Sequence, residues 1–259
     1  MNNKNNKKSD INAIILAAGP GSRLGSLTDD RPKCLLKIGD KSILERQLDA
    51  LKEFGINDIS VVRGHKKEMI NFPGINYYEN TDYKNNNILH SLFFAEKAMN
   101  GPFVFSYSDI VYGKDIVESL LKTQGDIVIT VDTEWEKKYK GRIKHPLTEA
   151  ELAQSKDGRI VKIGKDVVKI DEAQGEFIGL AKFTDKGTEI IKEVYRDLLG
   201  KHKKKDFFQN AKEFQKAYLT DFIQELVDRD IEVRTADIDK VWTEIDTDED
   251  LKRANKIWK

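Results

Sequence analysis

One cysteine, four histidines and no long apolar run set the first limits on this 259-residue chain. The lone Cys34 permits no intrachain disulfide and fits a reducing, cytoplasmic setting. It follows Lys33 directly and reads as a small core residue rather than a reactive thiol. No apolar stretch approaches the ~20 residues needed to cross a bilayer. Met1 to Asp10 is rich in Asn and Lys and has no apolar h-region, so it reads as a disordered tail and not as a signal peptide. The histidines show no metal-ligand spacing, and His90 falls on a helix surface. Neither sign of charge is in excess, with 44 basic and 44 acidic residues. That balance removes steering toward nucleic acid or an anionic membrane.

Two common phosphate loops are missing as well. The dinucleotide fingerprint needs Gly-x-Gly-x-x-Gly; after Gly19 and Gly21 the next glycine, Gly25, falls one residue late. The P-loop needs Gly-Lys-Ser/Thr, and no such tripeptide occurs.

What the chain does contain is an alternation of strand-like and helix-like segments. Asn12–Ala17 reads as a buried strand. Ser42–Phe54 reads as a helix, with Leu44, Leu48 and Leu51 at helical spacing and Gly55 as its stop. Strands follow at 58–62, 75–78, 102–106 and 126–131, with helices at 88–98 and 113–122 between them. This rhythm predicts a mostly parallel sheet covered on both faces. Between Asp132 and Gly175 it breaks, and only two short β-like runs, 159–163 and 167–170, stand out. A strand at 175–183, helices at 189–199 and 216–227, strands at 231–234 and 241–244, and a closing helix at 248–258 complete the reading.

Open parallel sheets bind ligands beyond the carboxyl ends of their strands. Three glycines, Arg23 and Lys33 collect beyond the first strand, where backbone N–H groups and two cations suit a nucleoside triphosphate. Asp109 ends the strand near 102–106. A triphosphate calls for a divalent cation, and Mg²⁺ prefers one or two carboxylates with phosphate and water. The run Trp242-Thr243-Glu244-Ile245-Asp246 supplies a second carboxylate, from Glu244 or Asp246. Asp246 also reads as an N-cap of the last helix.

The run Leu-Ala-Ala-Gly-Pro-Gly-Ser-Arg-Leu at 16–24, followed by Pro32-Lys33, resembles the signature of nucleotidyltransferases that activate sugar phosphates and small alcohol phosphates. Further segments resemble cytidylyltransferases acting on small phosphonates, 2-aminoethylphosphonate among them, and on phosphocholine. These are Asn-Asn-Ile-Leu-His-Ser-Leu at 86–92, Ser-Asp-Ile-Val-Tyr at 108–112, Gly-Glu-Phe-Ile-Gly-Leu at 175–180 and Trp-x-Glu-Ile-Asp at 242–246. The resemblance implies a Rossmann-like α/β nucleotidyltransferase fold with an acceptor-binding insertion. It makes one domain of residues 11–259, with a nucleotide-binding part over about 11–131 and an acceptor-binding part over about 132–259. It implies CTP as donor and Mg²⁺ as cofactor, held by Asp109 and Asp246. Arg23 would meet the β- and γ-phosphates and Lys33 the α-phosphate. Leu16, Ala17, Ala18 and Gly19 would read the base, with Gly21 and Ser22 in the same loop. Asn87 and Ser91 match nucleotide contacts of these relatives, although residue 86 is Asn where many have Thr. A homodimer is compatible with the resemblance, and neither nucleic acid nor membrane is an expected partner.

The acceptor is expected to be a small zwitterion. Arg142 and Lys165 offer cations for a phosphonate or phosphate. Asp132, Trp135, Tyr139 and Glu176 offer carboxylates and aromatic faces for an amine. Two rival readings stay open: a sugar-1-phosphate nucleotidyltransferase using UTP or dTTP, and a catalytically silent regulatory subunit.

Overall fold

The computed structural model describes residues 10–258; apart from Asp10, the tail expected over 1–10 lies outside them. Thirteen strands form in chain order: β1 Asn12–Ala17, β2 Lys37–Ile38, β3 Lys41–Ser42, β4 Ile59–Arg63, β5 Ile75–Glu79, β6 Phe103–Tyr107, β7 Ile110–Tyr112, β8 Ile127–Asp132, β9 Leu152–Lys156, β10 Arg159–Gly164, β11 Gly175–Phe183, β12 Arg234–Ile238 and β13 Trp242–Glu244. The helices are α1 Ile43–Lys52, α2 Ile88–Phe93, α3 Lys114–Lys122, α4 Trp135–Tyr139, α5 Asp185–Lys201, α6 Leu219–Asp228 and α7 Asp248–Ile257. Nine strands make one sheet in the order β5-β4-β1-β6-β11-β8-β12-β10-β9.

Strand β1 shows why the sheet is covered on both faces. Ile14 and Leu16 join one core, and Ala13, Ile15 and Ala17 join the other, as a two-residue side-chain period requires. Leu44, Leu48 and Leu51 of α1 and Ile116, Val117 and Leu120 of α3 pack on the second face. Helices α2, α5 and α6 cover the first. Helix α1 starts where Ser42 and Glu45 form a reciprocal capping box.

The sheet is parallel through its first half and again between β8 and β12, and antiparallel elsewhere. Pairings β5–β4, β4–β1 and β1–β6 are parallel, but β11 runs antiparallel to both β6 and β8. The chain leaves β8 at one end of the sheet and returns beside it as β11, so the return strand must run the opposite way. The excursion also differs from its expected elements. Residues 152–156 form β9, residues 167–170 form no strand, and the strand expected at 231–234 is shifted to Arg234–Ile238. Val168 instead joins a small separate core with Trp135, Tyr139, Ala150 and Leu152. The helix expected over 88–98 ends at Phe93, with a short 3₁₀ turn at Glu96–Ala98.

Register slips in β11 between Phe177 and Ala181, and Gly179 within that slip has φ +82°. A Cβ there would lie 2.2 Å from Cδ2 of Tyr107. The bulge therefore needs glycine both for its backbone and for the close approach of β6. Gly179→Ala is expected to lower stability by roughly 2 kcal/mol or more, read as the shift of a urea-unfolding midpoint. A midpoint unchanged from wild type would show that the bulge relaxes freely.

Candidate active site

The carboxyl ends of β1 and β6 open into a cleft of about 340 Å³. Its first wall is the loop after β1. Gly21 there has φ +64°, and a Cβ on it would lie 3.0 Å from Cβ of Lys33. Glycine thus lets the loop lie directly against Lys33. Thr28 Oγ1 ties the loop down by donating to the carbonyls of Gly21 and Gly25 at 3.1 and 3.2 Å. Leu16, Ala17, Gly19, Gly21, Ser22, Arg23 and Lys33 line the cleft. Ala18 does not; it is buried, and its carbonyl accepts from His65 N–H.

Two carboxylates distant in sequence are brought together by a short ribbon. β13 pairs antiparallel with β7, setting Glu244 opposite Ile110. The N–H of Ile245 then donates to the carbonyl of Asp109 at 2.8 Å. Asp109 and Asp246 consequently flank one ammonium group. Lys33 Nζ donates to Asp109 Oδ2 at 3.0 Å and also to Asp246 Oδ1. Arg23 reaches the other oxygen of Asp246 at 2.6 Å. Burial opposes ionisation of Asp246, but Lys33 and Arg23 outweigh it and hold its carboxyl well below the usual range. Asp246 is not the N-cap of α7; Thr247 is, in a capping box with Asp250.

The opposite wall is acidic. Glu149 accepts from Arg23 at 3.0 Å and from Lys165 at 3.2 Å. Lys165 also lies over the ring of Tyr218 at 4.9 Å. Glu151 accepts from Tyr107 and Thr220 hydroxyls at 3.2 and 3.3 Å, and burial pushes its carboxyl up to about 7. Glu176 accepts from the Tyr139 hydroxyl at 2.5 Å. Burial pushes it up to about 8 against that bond and Arg142. Glu244 is raised too, by burial and then by Asp246 and Asp109 beside it. In all, six acidic side chains share the cleft with three basic ones, a surplus that suits a divalent cation, an amine, or both.

Of the residues expected at the acceptor, Lys165 and Glu176 line this cleft, and Asp132, Trp135, Tyr139 and Arg142 do not. Asp132 is fully buried; its Oδ2 accepts from the indole N–H of Trp242 at 2.7 Å, and its Oδ1 from Glu134 N–H. Trp135 and Tyr139 fill the small core of the excursion. Arg142 is occupied behind β13, 2.9 Å from Asp250 and 3.5 Å from Glu244. Asp132, Tyr139 and Arg142 each take a partner far away in sequence. Asn87 lines the cleft and donates to the carbonyl of Lys216, whereas the buried Ser91 hydroxyl accepts from Asn80 at 2.6 Å. Cys34 is buried in the core, which pushes its thiol up to about 12. His90 is half-buried on its helix and bonds the Tyr195 hydroxyl and the carbonyl of Phe214.

Sequence reasoning missed Glu149, Glu151, Tyr107, Tyr218 and His145. Glu149 ends a short 3₁₀ turn and Glu151 immediately precedes β9, so no strand alternation marked the pair in advance. His145 carried no signal either, because its neighbours Glu244 and Asp246 lie about a hundred residues on. Burial first, then Arg142, pulls its imidazole down to about 4.

Sheet, loop and paired carboxylates together define a nucleotide-handling α/β enzyme, and comparison with known proteins identifies which kind. Residues 13–162 match the model of the MobA-like NTP transferase domain. The chain belongs to that nucleotidyltransferase family. It is 34% identical to the CTP:phosphoglutamine cytidylyltransferase of Campylobacter jejuni subsp. jejuni serotype O:2 over 253 residues, covering 93% of this chain and 98% of that protein. It is 30% identical over 187 residues to the choline-phosphate cytidylyltransferase of Streptococcus pneumoniae, covering 66% and 80% respectively. The solved inositol-1-phosphate CTP transferase of T. maritima superposes with a TM-score of 0.73 at 23% identity, over 96% of this chain and 97% of that one; this last likeness is one of fold. Among the described residues no helix is long and apolar enough to cross a membrane.

The raised carboxyl of Glu176 makes stability depend on pH. Unfolded, it titrates near 4.5, and folded near 8. Between those values the folded chain keeps a proton that the unfolded chain loses, so its contribution is full below 4.5 and is lost as pH rises toward 8. The melting temperature is expected to fall across that window, and Glu176→Gln to make the fall shallower. Equal slopes for the two proteins would mean that Glu176 is ionised in the fold.

Proposed function

We propose that this enzyme transfers a cytidylyl group from CTP to the phosphate of a small, amine-bearing acceptor and releases pyrophosphate, with Mg²⁺ as cofactor. The observation that carries this reading is one cleft in which the Gly-rich loop, Lys33 and Asp109 face Lys165, Glu151 and Glu176. Its cations suit phosphate oxygens and its surplus carboxylates suit an amine. The two cytidylyltransferases it resembles in sequence have acceptors of that kind by name. Glutamine carries an α-ammonium group and choline a quaternary ammonium.

The reaction asks little covalent chemistry of the protein. An acceptor phosphate oxygen forms a bond to the α-phosphorus of CTP as the bond to the bridging oxygen breaks, and pyrophosphate leaves. Lys33, at the root of the loop, meets charge that grows on the α-phosphate, and the half-exposed Arg23 turns to the outer phosphates. Asp109 and Asp246 fit a Mg²⁺ ion, for Asp109 Oδ1 is buried without a hydrogen-bond partner. Such an ion neutralises triphosphate charge. Lys165 and Glu151 orient the acceptor by its anionic and cationic ends.

Pyrophosphate release with CTP, UTP and dTTP, each against phosphoglutamine, phosphocholine, 2-aminoethylphosphonate, its hydroxyl analogue and glucose 1-phosphate, tests the reading. Turnover is expected with CTP and an amine-bearing acceptor, about tenfold or more above the hydroxyl analogue. Glu151→Gln is expected to raise KM for that acceptor and leave KM for CTP unchanged. Turnover confined to UTP or dTTP with the sugar phosphate would replace this reading with the sugar-nucleotide one. No turnover with any pair would favour a silent subunit.

Asp109→Asn and Asp246→Asn are each expected to abolish Mg²⁺-dependent turnover, with the double variant little worse than either, because groups that share one ion act as a unit. Multiplying losses would show that the two carboxylates act separately.

A further inference from the structure

Three donor side chains from two distant parts of the chain meet beside the cleft. His145 lies in the loop after α4, Glu244 ends β13, and Asp246 follows two residues later. One donor atom from each lies within 4.8 Å of the other two. His145 is only 2% exposed, and neither ring nitrogen has a hydrogen-bond partner. Nδ1 stands 3.4 Å from Asp246 Oδ2, and Nε2 stands 3.4 Å from Glu244 Oε2. A buried polar ring with both nitrogens unsatisfied calls for a physical account, and two flanking carboxylates suggest a cation between them.

We propose that His145, Glu244 and Asp246 form a site for a divalent transition-metal ion, with one imidazole nitrogen and two carboxylates as its protein ligands. The site is distinct from the pairing of Asp109 with Asp246, although Asp246 belongs to both. Its Oδ1 turns toward Lys33 and Asp109, and its Oδ2 toward Arg23 and His145. Glu244 and Asp246 line the cleft, which gives an ion a route in. The donor set selects the metal. Mg²⁺ takes oxygen ligands and keeps several waters, whereas an imidazole beside carboxylates favours ions such as Mn²⁺ and Zn²⁺. The ring nitrogen that does not ligate stays near a carboxylate, the arrangement that fixes the tautomer of metal-bound histidines.

The test uses the untagged full chain, stripped with a chelator and free of nucleotide, so its outcome is independent of which substrates the enzyme takes. Mn²⁺ is the probe, followed by EPR titration and by pulsed EPR for nitrogen coupling. Wild type is expected to bind Mn²⁺ with an imidazole nitrogen signature. His145→Gln is expected to lose that signature and bind Mn²⁺ about tenfold or more weakly, while Mg²⁺ affinity, read by competition, changes much less. No nitrogen coupling in the folded wild type would overturn the proposal. So would a coupling that survives in His145→Gln, since it then arises from another histidine. If His145→Gln does not fold, Asp109→Asn serves instead: it leaves the trio intact and is expected to retain the coupling, and its loss would overturn the separate site.

Discussion

Lys33 places one ammonium between two carboxylates that the chain supplies 76 and 213 residues later, and the active cleft is organised around that contact. Left alone, Asp109 and Asp246 would repel each other at the mouth of a low-dielectric cleft. With the lysine between them they are held side by side. The lysine is itself fixed by the loop that carries it, because Gly21 lets that loop pack against the lysine's own Cβ. The ribbon of β7 and β13 does the matching work on the other side by tying Ile245 to Asp109. The Gly-rich loop and the two carboxylates are thus parts of one electrostatic unit.

The excursion between β8 and β11 supports this unit from behind as well as walling the cleft. Arg142 holds Asp250, and Asp250 in turn accepts from the backbone N–H groups of Asp246 and Thr247. Asp132 holds the indole of Trp242, at the start of β13. Side chains that look in sequence like a recognition set for a zwitterion therefore serve to position the segment bearing Glu244 and Asp246. Buried pairs of this kind are costly to break, since either partner alone leaves an uncompensated charge or a lost hydrogen bond.

Much of the nucleotide half was legible in the sequence for physical reasons. The apolar run of β1, the heptad-like leucines of α1 and the stop at Gly55 are local signals, and local forces shape those elements. The Gly-rich loop was legible because its glycines and cations are contiguous. The acceptor half was not. Leu-Ala-Gln-Ser-Lys of β9 has no clear alternation, and its strand exists because β10 and β11 pair with it. The apolar run near Val168 suggested a strand but plugs a small core. Lys165 and Glu176 reach the cleft, whereas Arg142 and Asp132 do not, and nothing local separates the two pairs. The difference lies in what the fold sets beside each residue: Trp242 of β13 takes up Asp132 and Asp250 of α7 takes up Arg142.

Glu149 stands between the two ends of the cleft and accepts from Arg23 on one side and Lys165 on the other. A ligand that draws Arg23 toward its phosphates leaves Glu149 to Lys165 alone and weakens the pull of Lys165 on any other anion. The reverse follows by linkage: whatever engages Lys165 strengthens the hold of Glu149 on Arg23. A single carboxylate thereby couples whatever binds at Arg23 to whatever binds at Lys165, by the same amount in either direction, through the sharing of one charge.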